Sequence, residues 1–231
     1  MAQETALIVG AGSGLSASLA RLFASEGMNI AIAARNPDKL AALVQETKAR
    51  AYACDASVPS EVEQLYANVG KDFGEPNLVV FNAGLRGKGP VAELDAELVK
   101  KVWLNGAFGG FLVGQQAAKR MLTKGAGTII FTGATASLKG YALSAPFAMT
   151  KFSLRGLAQS MARELAPEGI HVAHVVIDGG IATSYAESDA DRATHRWLEP
   201  GAIAQTYLQL HRQHRSAWTW EIEVRPWLEK F

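Results

Sequence analysis

The feature that most constrains the fold of this chain is a series of short apolar segments that alternate with segments of helical periodicity. The apolar segments are Thr5–Val9, Asn29–Ala34, Arg50–Ala53, Leu78–Phe81, Thr128–Thr132 and His171–Ile177. Each has the length of a strand, and several are apolar on both faces, as buried parallel strands are. The helical segments between them include Ser16–Glu26, Asp38–Thr47, Glu61–Val69 and Leu94–Met121. This alternation predicts a doubly wound α/β fold, a parallel sheet with helices on both faces.

The C-terminal part of the chain has a different pattern. Ser184–Glu199 is polar and mixed, which suggests a flexible lid, and Glu199–Gln213 has helical periodicity. Ala217–Val224 alternates well enough to form a last strand, which makes the predicted sheet seven-stranded. The tail Arg225–Phe231 contains a proline, two aromatic residues and a leucine. These apolar groups favour a tail docked on the protein or on another subunit over a frayed end.

Composition excludes several classes of function. The 231 residues suit one domain, 1–231, with a substantial core. The formal net charge of +1 provides no overall field for nucleic acid or an anionic membrane. The single cysteine, Cys54, rules out an internal disulfide, and the five histidines lack the spacing of metal ligands. Without a signal peptide or an apolar stretch of about 18 residues, we expect a cytoplasmic protein with no metal, nucleic-acid or membrane partner.

A glycine-rich loop, Gly10–Ser16 (GAGSGLS), follows the first predicted strand and precedes a helix. A pyrophosphate there would meet free N–H groups at the helix N-terminus, and the glycines would allow it to approach the backbone. The pattern GxGxxG is not met, because Leu15 stands at its third glycine. The spacing GxxxGxG fits better, with Gly10 and Gly14 present and Ser16 replacing the last glycine. The alternative is a glycine turn of purely structural use.

Three further features follow in the order that a dinucleotide site needs. Asp55 closes the third strand, where its carboxylate could accept from an adenine amino group; a helix-capping aspartate is the alternative. Asn82-Ala83-Gly84 closes the fourth strand, where small residues allow the backbone to line a ribose. Asn105 lies inside a long helix, a poor position for asparagine unless its amide has a partner. The combination is more specific than any of its parts.

In these motifs, from Thr5 to Thr183, the chain resembles the short-chain dehydrogenases/reductases, a family of Rossmann-type oxidoreductases that bind nicotinamide dinucleotides. The resemblance implies these cofactor contacts: Gly10, Ser13, Gly14 and Leu15 in the loop, Asp55 at the adenine, Asn82, Ala83 and Gly84 along the cofactor, Lys151 at the nicotinamide ribose, and Ile181 and Thr183 at the carboxamide. The family usually has a proline where this chain has Asp178.

The choice between NAD and NADP is made at the end of the second strand, where an acidic residue would bind a ribose 2′-hydroxyl and select NAD. This chain has Ala34 followed by Arg35, whose guanidinium could bind a 2′-phosphate through charge-assisted hydrogen bonds. No carboxylate there would repel the phosphate. NADP is therefore predicted in preference to NAD, and a solvated arginine at the start of the next helix is the alternative.

The resemblance also implies hydride transfer between nicotinamide C4 and a carbonyl or alcohol carbon. In the family a tyrosine transfers the proton, a lysine four residues later lowers the phenol pKa from about 10, a serine orients the substrate, and a helical asparagine supports a water relay. Asn105 and Lys151 match this pattern, but Phe147 stands at the tyrosine position and Ala134 at the serine position. Since acid–base catalysis contributes about 10²–10⁴ in rate, ordinary carbonyl reduction should be badly impaired.

Other hydroxyl groups near these positions are poor substitutes. The remaining threonines and serine of segment 131–137 are offset from Ala134, and one-residue offsets on a strand point to the other face. Tyr141, in a loop that would border the site, and Tyr185, at the start of the predicted lid, could swing in. Neither lies four residues before Lys151, so a packing or surface role is the default for both.

Three functions are consistent with these residues. The first is an NADP(H)-dependent oxidoreductase with an unknown carbonyl or alcohol substrate, in which water, Lys151 or a substrate group supplies the proton. The second is a cofactor-binding protein with little turnover, a sensor or an inactive partner in an oligomer. The third is a non-redox enzyme that uses the dinucleotide structurally. The family resemblance favours the first.

A homodimer or homotetramer is also predicted. Relatives pair subunits through two long helices in a two-fold contact, and the corresponding segments here are Leu94–Met121 and Pro146–Ala166. Both segments are apolar on more than one face. The first contains small residues that permit close helix packing, namely Gly106, Gly109, Gly110 and Gly114.

Overall fold

The computed structural model describes residues 3–230, which form a seven-stranded parallel sheet in the order β3-β2-β1-β4-β5-β6-β7. The strands are β1 Thr5–Val9, β2 Asn29–Ala34, β3 Arg50–Ala53, β4 Leu78–Phe81, β5 Gly127–Thr132, β6 Ile170–Ile177 and β7 Glu221–Val224. β1 to β6 match the predicted segments to within one residue. β7 is shorter than predicted, because Arg215–Ala217 forms a 3₁₀ turn and Trp218 stacks on His171, so pairing with β6 begins only at Glu221.

Helices cover both faces of the sheet, which confirms the doubly wound fold. They are α1 Leu15–Ser25, α2 Ala41–Thr47, α3 Pro59–Phe73, α4 Ala96–Trp103, α5 Gly109–Leu122, α6 Ala145–Leu165, α7 Ala182–Tyr185, α8 Asp189–Ala193 and α9 Pro200–His211. Buried side chains form one cluster per face. Phe23 of α1 and Tyr207 of α9 belong to the first cluster, and Tyr66 of α3, Val113 of α5 and Leu154 of α6 to the second.

The predicted helix Leu94–Met121 is interrupted. α4 ends at Trp103, Leu104–Phe108 forms a π-helical turn, and α5 begins at Gly109. A π turn holds one extra residue and is frequent at functional sites. Periodicity does not reveal it, because one inserted residue hardly alters the apolar pattern. Asn105 lies in this turn and not in a regular helix.

The glycines of this helix pack inside the chain. A Cβ on each would collide with a neighbour in the same chain: Gly106 with Thr150, Gly109 with Ala56, Gly110 with Leu154 and Gly114 with Phe131. They do allow close packing, as predicted, but the partners are α6, β5 and the loop before α3 of the same chain. Because neighbours in the same chain already fill the space beside these four glycines, the glycines are not available for a subunit contact.

The predicted lid contains the two short helices α7 and α8. Arg192 forms an ion pair with Glu199 at 2.5 Å, and the Trp197 ring stacks on Tyr185 with centroids 5.3 Å apart. The ion pair joins α8 to the residue before α9, and the stacking joins two residues within the lid segment.

The tail is only partly docked on the chain. Pro226 is buried and packs against Gly179, but 76% of Trp227 and 53% of Leu228 remain exposed. Phe231 lies outside the described residues. No helix within residues 3–230 is long and apolar enough to cross a membrane.

Candidate active site

A cleft of about 710 Å³ opens at the carboxyl ends of the strands, where the strand order reverses between β1 and β4. Doubly wound folds bind ligands at this point. The cleft walls include the glycine loop, the end of β2, Asn82–Gly84 after β4, and Asn105 from the π turn. A Cβ on Gly12 would have no neighbour within 4 Å, so the loop leaves open space on this side. The size and backbone lining of the cleft fit an extended dinucleotide.

The glycine loop is tied to β4 by side chains. Gly10 has φ +89°, and a Cβ there would lie 2.4 Å from the Ala83 nitrogen, which excludes any L side chain. The Ser16 hydroxyl donates to the Gly10 carbonyl at 3.0 Å, and the Asn82 amide donates to the Ser16 hydroxyl at 2.8 Å. In the sequence motif Ser16 only takes the place of the last glycine. In the structure its hydroxyl connects the loop to the residue after β4. Leu15 buries its side chain in the core.

One end of the cleft is positively charged. Arg35 and Lys39 line it, both are exposed, and neither forms an ion pair with a carboxylate of residues 3–230. No aspartate or glutamate is among the residues that line this cleft. No sequence motif marks Lys39 as a site residue, and only the turn after β2 brings it beside Arg35.

Asp55 lies in an adjoining depression that Arg35 and Asn105 also line. Its Oδ1 accepts from the Ser57 backbone N–H at 2.9 Å and the Ser57 hydroxyl at 2.6 Å. Burial raises the pKa of Asp55, but the hydrogen bonds from Ser57 and the charge of Arg35 outweigh burial and lower that pKa overall. Asp55 is therefore an ionised acceptor beside the cleft.

A second space of about 520 Å³, here called the lysine cavity, shares Asn82, Ala83 and Gly84 with the cleft. Its other walls include Ala134, Phe147, Lys151, Ile181 and Tyr185. The fold thus brings together most residues that the sequence predicted for the reactive end. Thr183 stands at the glycine loop instead, where its Oγ1 would lie 3.3 Å from a Cβ on Gly14.

Lys151 is the central charged group of the lysine cavity. Only 6% of the residue is exposed, and its Nζ donates to the Thr132 carbonyl at 2.7 Å. Burial lowers the pKa of Lys151 to about 8, and the positive charge of Arg86 acts in the same direction. The ring of Phe147 lies 5.7 Å from Nζ, at the distance of a cation–π contact.

The hydroxyl groups around Ala134 each have a partner in the protein. Thr132 bonds to the Tyr207 hydroxyl at 2.8 Å, Thr135 donates to Asp178 at 2.5 Å, and Ser137 accepts from the Ala134 N–H at 3.2 Å. The prediction that hydroxyls offset by one residue from Ala134 point to the other face of a strand was wrong beyond Thr132. β5 ends at Thr132, and Thr135–Ser137 forms a 3₁₀ turn.

Asp178 is buried, and both of its carboxylate oxygens are hydrogen-bonded. Thr135 donates to one carboxylate oxygen, and Arg225 donates to the other at 2.5 Å. The carboxylate therefore connects the turn after β5 to the residue that follows β7.

Arg86 is a site residue that the sequence analysis did not identify. Its Nη1 donates to the Tyr185 hydroxyl at 2.7 Å, and its Cζ lies 5.3 Å from the centroid of the Phe147 ring. A single arginine in the loop after β4 carries no pattern. Only the tertiary structure places it over Phe147.

The family model for short chain dehydrogenases matches residues 4–194, and the strand order and lysine cavity agree with it. The chain belongs to the short-chain dehydrogenase family. Within this family it is 38% identical to a short-chain dehydrogenase from Rhodopseudomonas palustris, with a TM-score of 0.85 over 97% of this chain and 99% of that chain. An actinorhodin polyketide ketoreductase variant solved with NADPH is 28% identical, with a TM-score of 0.88 over 100% of both chains.

Among curated proteins of the family, a diacetyl reductase of the (S)-acetoin-forming type from Staphylococcus epidermidis is 32% identical to this short-chain dehydrogenase. The match covers 73% of this chain and 68% of the reductase. These relatives show that the chain is an oxidoreductase of the short-chain dehydrogenase type.

Proposed function

We propose that this short-chain dehydrogenase is an NADP(H)-dependent oxidoreductase that acts on a carbonyl or alcohol substrate with altered acid–base groups. The observation that carries the proposal is the shared wall Asn82–Gly84 between the cleft and the lysine cavity. A dinucleotide extended from the Arg35 end of the cleft along this wall would end beside Lys151. Asn105, whose side chain opens on the same cleft, would lie along its path.

The preference for NADP rests on charge. A 2′-phosphate at the end of β2 would meet Arg35 and Lys39 and no carboxylate of the cleft lining. The polyketide ketoreductase that matches this chain over its full length was solved with NADPH. Ser13, Gly14 and Leu15 would contribute backbone N–H groups to the pyrophosphate at the start of α1.

Lys151 is proposed both to hold the nicotinamide ribose and to supply the proton during reduction. The nicotinamide supplies the hydride when it is bound. Phe147 has no exchangeable proton, whereas a Lys151 ammonium with a pKa of about 8 is mostly protonated at pH 7 and can release its proton. Ala134 offers no hydroxyl to orient a carbonyl, so other groups of the cavity must do so.

The test combines NADPH binding with NADPH oxidation. Fluorescence titration should show binding, and oxidation should occur with at least one member of a panel of small carbonyl compounds. The rate should fall as the pH rises through about 8, because the protonated form of Lys151 is lost. Lys151→Met should lower the rate of NADPH oxidation by about 10²-fold or more. Binding without oxidation for every carbonyl would refute the enzymatic proposal.

A second candidate function is a binding protein with little turnover. Phe147 and Ala134 favour it, since neither can transfer a proton or orient an oxygen. In that case NADPH binds, no carbonyl is reduced, and Lys151→Met changes only the affinity for the cofactor.

We also propose a homo-oligomer. Leu98, Trp103 and Phe111 on the α4–α5 segment and Met149 and Phe152 on α6 are exposed apolar side chains. They, and not the glycines, would form the subunit contact on the outer face of these helices. Analytical ultracentrifugation should give a species larger than 24.7 kDa at micromolar concentration, and a monomer would contradict the proposal.

A further inference from the structure

A third space, of about 270 Å³, adjoins the lysine cavity and shares Arg86, Ala134 and Phe147 with it. We call it the arginine pocket; its other walls include Lys88, Thr135 and Tyr141. A molecule that occupies both spaces would contact Phe147, whose ring centroid lies 5.3 Å from the Arg86 Cζ and 5.7 Å from the Lys151 Nζ.

The guanidinium of Arg86 is positioned but not neutralised. The Tyr185 hydroxyl accepts from Nη1, and the Arg86 Cζ lies at a cation–π distance, 5.3 Å, from the centroid of the Phe147 ring. Trp197 stacks on Tyr185 and so supports the partner of Arg86 in turn. No carboxylate of residues 3–230 forms an ion pair with Arg86, so most of its five N–H donors remain available for a ligand.

The charges around this pocket favour an anion. Lys88 contributes a second cation, and no aspartate or glutamate lines the arginine pocket or the lysine cavity. The nearby carboxylate of Asp178 is already bound by Thr135 and Arg225. The Glu229 carboxylate of the tail would lie 3.4 Å from a Cβ on Gly179, a lining residue of both spaces, but Glu229 itself lines neither space.

We infer that Arg86 binds a carboxylate of the substrate, which makes the substrate a compact keto acid or the corresponding hydroxy acid. The inference rests on the proposed function, because it places the carbonyl of the same molecule in the lysine cavity. A guanidinium that is bonded to the Tyr185 hydroxyl and lies over an aromatic ring presents a planar fork of N–H donors, which matches the two oxygens of a carboxylate. It would also orient the carbonyl, the task for which Ala134 has no hydroxyl.

The test uses acetoacetate and its neutral analogue methyl acetoacetate, which differ in the free carboxylate. Each is titrated by calorimetry into protein saturated with NADP⁺, so that no turnover occurs. Acetoacetate should bind at least about tenfold more tightly, as expected for one charge-assisted hydrogen bond. Arg86→Gln should abolish this preference and Arg86→Lys should keep part of it. Arg163→Gln, which removes an exposed arginine of α6 that lines none of these spaces, should keep all of it.

Equal binding of the two compounds, no binding of either, or an unchanged preference in Arg86→Gln would overturn the inference. Failure of NADP⁺ to bind would instead refute the proposed function. The same two titrations on the cofactor-free protein would then test whether Arg86 binds a carboxylate when no cofactor is present. Because Arg86 is exposed, its variants should fold, and circular dichroism checks this.

Discussion

The two halves of the sheet differ in what they bury. In the half formed by β1 to β4, Thr5 and Ser16 are the only buried polar residues within residues 3–81. The half formed by β5 to β7 and the helices between them buries Lys151, His174 and Asp178 among other polar groups. The first half carries the glycine loop, and the second carries most of the walls of the lysine cavity.

Under the proposed function, this difference indicates how dinucleotide binding and proton transfer would be divided between the two halves. Binding of a dinucleotide depends mainly on backbone groups and open space, which an apolar half can provide. Proton transfer depends on side chains with shifted pKa values, which need buried polar surroundings. Phe147 and Ala134, which we propose stand at the tyrosine and serine positions of the family, also lie in the half with the polar interior.

The largest expected effect is a change in reduction rate caused by substitutions in the polar half of the protein, the half formed by β5 to β7. Phe147→Tyr combined with Ala134→Ser should raise NADPH-dependent reduction of small activated ketones by about 10²–10⁴-fold over wild type. A phenol at 147 would lie one helical turn from Lys151, whose charge would lower the phenol pKa. Initial rates of NADPH oxidation measure the gain. Adding Lys151→Met should remove it.

The opposite result would be equally informative. If wild type already reduces a carbonyl compound and Phe147→Tyr slows that reaction, the site has been rebuilt for different chemistry. It would then not be a site that has merely lost its proton donor.

A smaller effect should appear in stability at acid pH. Burial lowers the pKa of His174 to about 4 from 6.5, although the hydrogen bond to Glu221 opposes the shift. The folded state therefore binds fewer protons than the unfolded state, so this stabilisation is present above pH 6.5 and lost as the pH falls through 4. The loss is on the order of 3 kcal/mol.

Urea unfolding at pH 7 and at pH 4.5 measures this loss of stability. His174→Gln should reduce the difference between the two pH values, whereas His195→Asn, which changes an exposed histidine, should leave that difference as in wild type. An equal pH dependence in His174→Gln would show that other groups control acid stability.

The smallest effect belongs to the apolar half. Arg35→Ala should weaken NADPH binding roughly tenfold and leave NADH binding unchanged, because a charge-assisted hydrogen bond to a 2′-phosphate is lost. Fluorescence titration of both cofactors measures it. Equal affinities of wild type for NADPH and NADH would show that Arg35 is only a solvated side chain.

The strands and the glycine loop that lines the cleft could be predicted from the sequence because their signals are local. A buried parallel strand is a short apolar run, and the glycine loop is a contiguous motif, so β1 to β6 and the residues Gly10 to Leu15 needed no knowledge of distant neighbours. The spacing from Phe147 to Lys151 is equally local, because one helical turn separates the two residues.

Other features were decided only by the tertiary structure. The π turn at Asn105, the inward packing of the four glycines, and the place of Arg86 between Phe147 and Tyr185 all depend on contacts between segments far apart in the chain. Arg86 and Tyr185 are 99 residues apart, and no periodicity connects them. Short-range patterns record which face of an element is buried, but the partner that covers it is selected by packing of the whole chain.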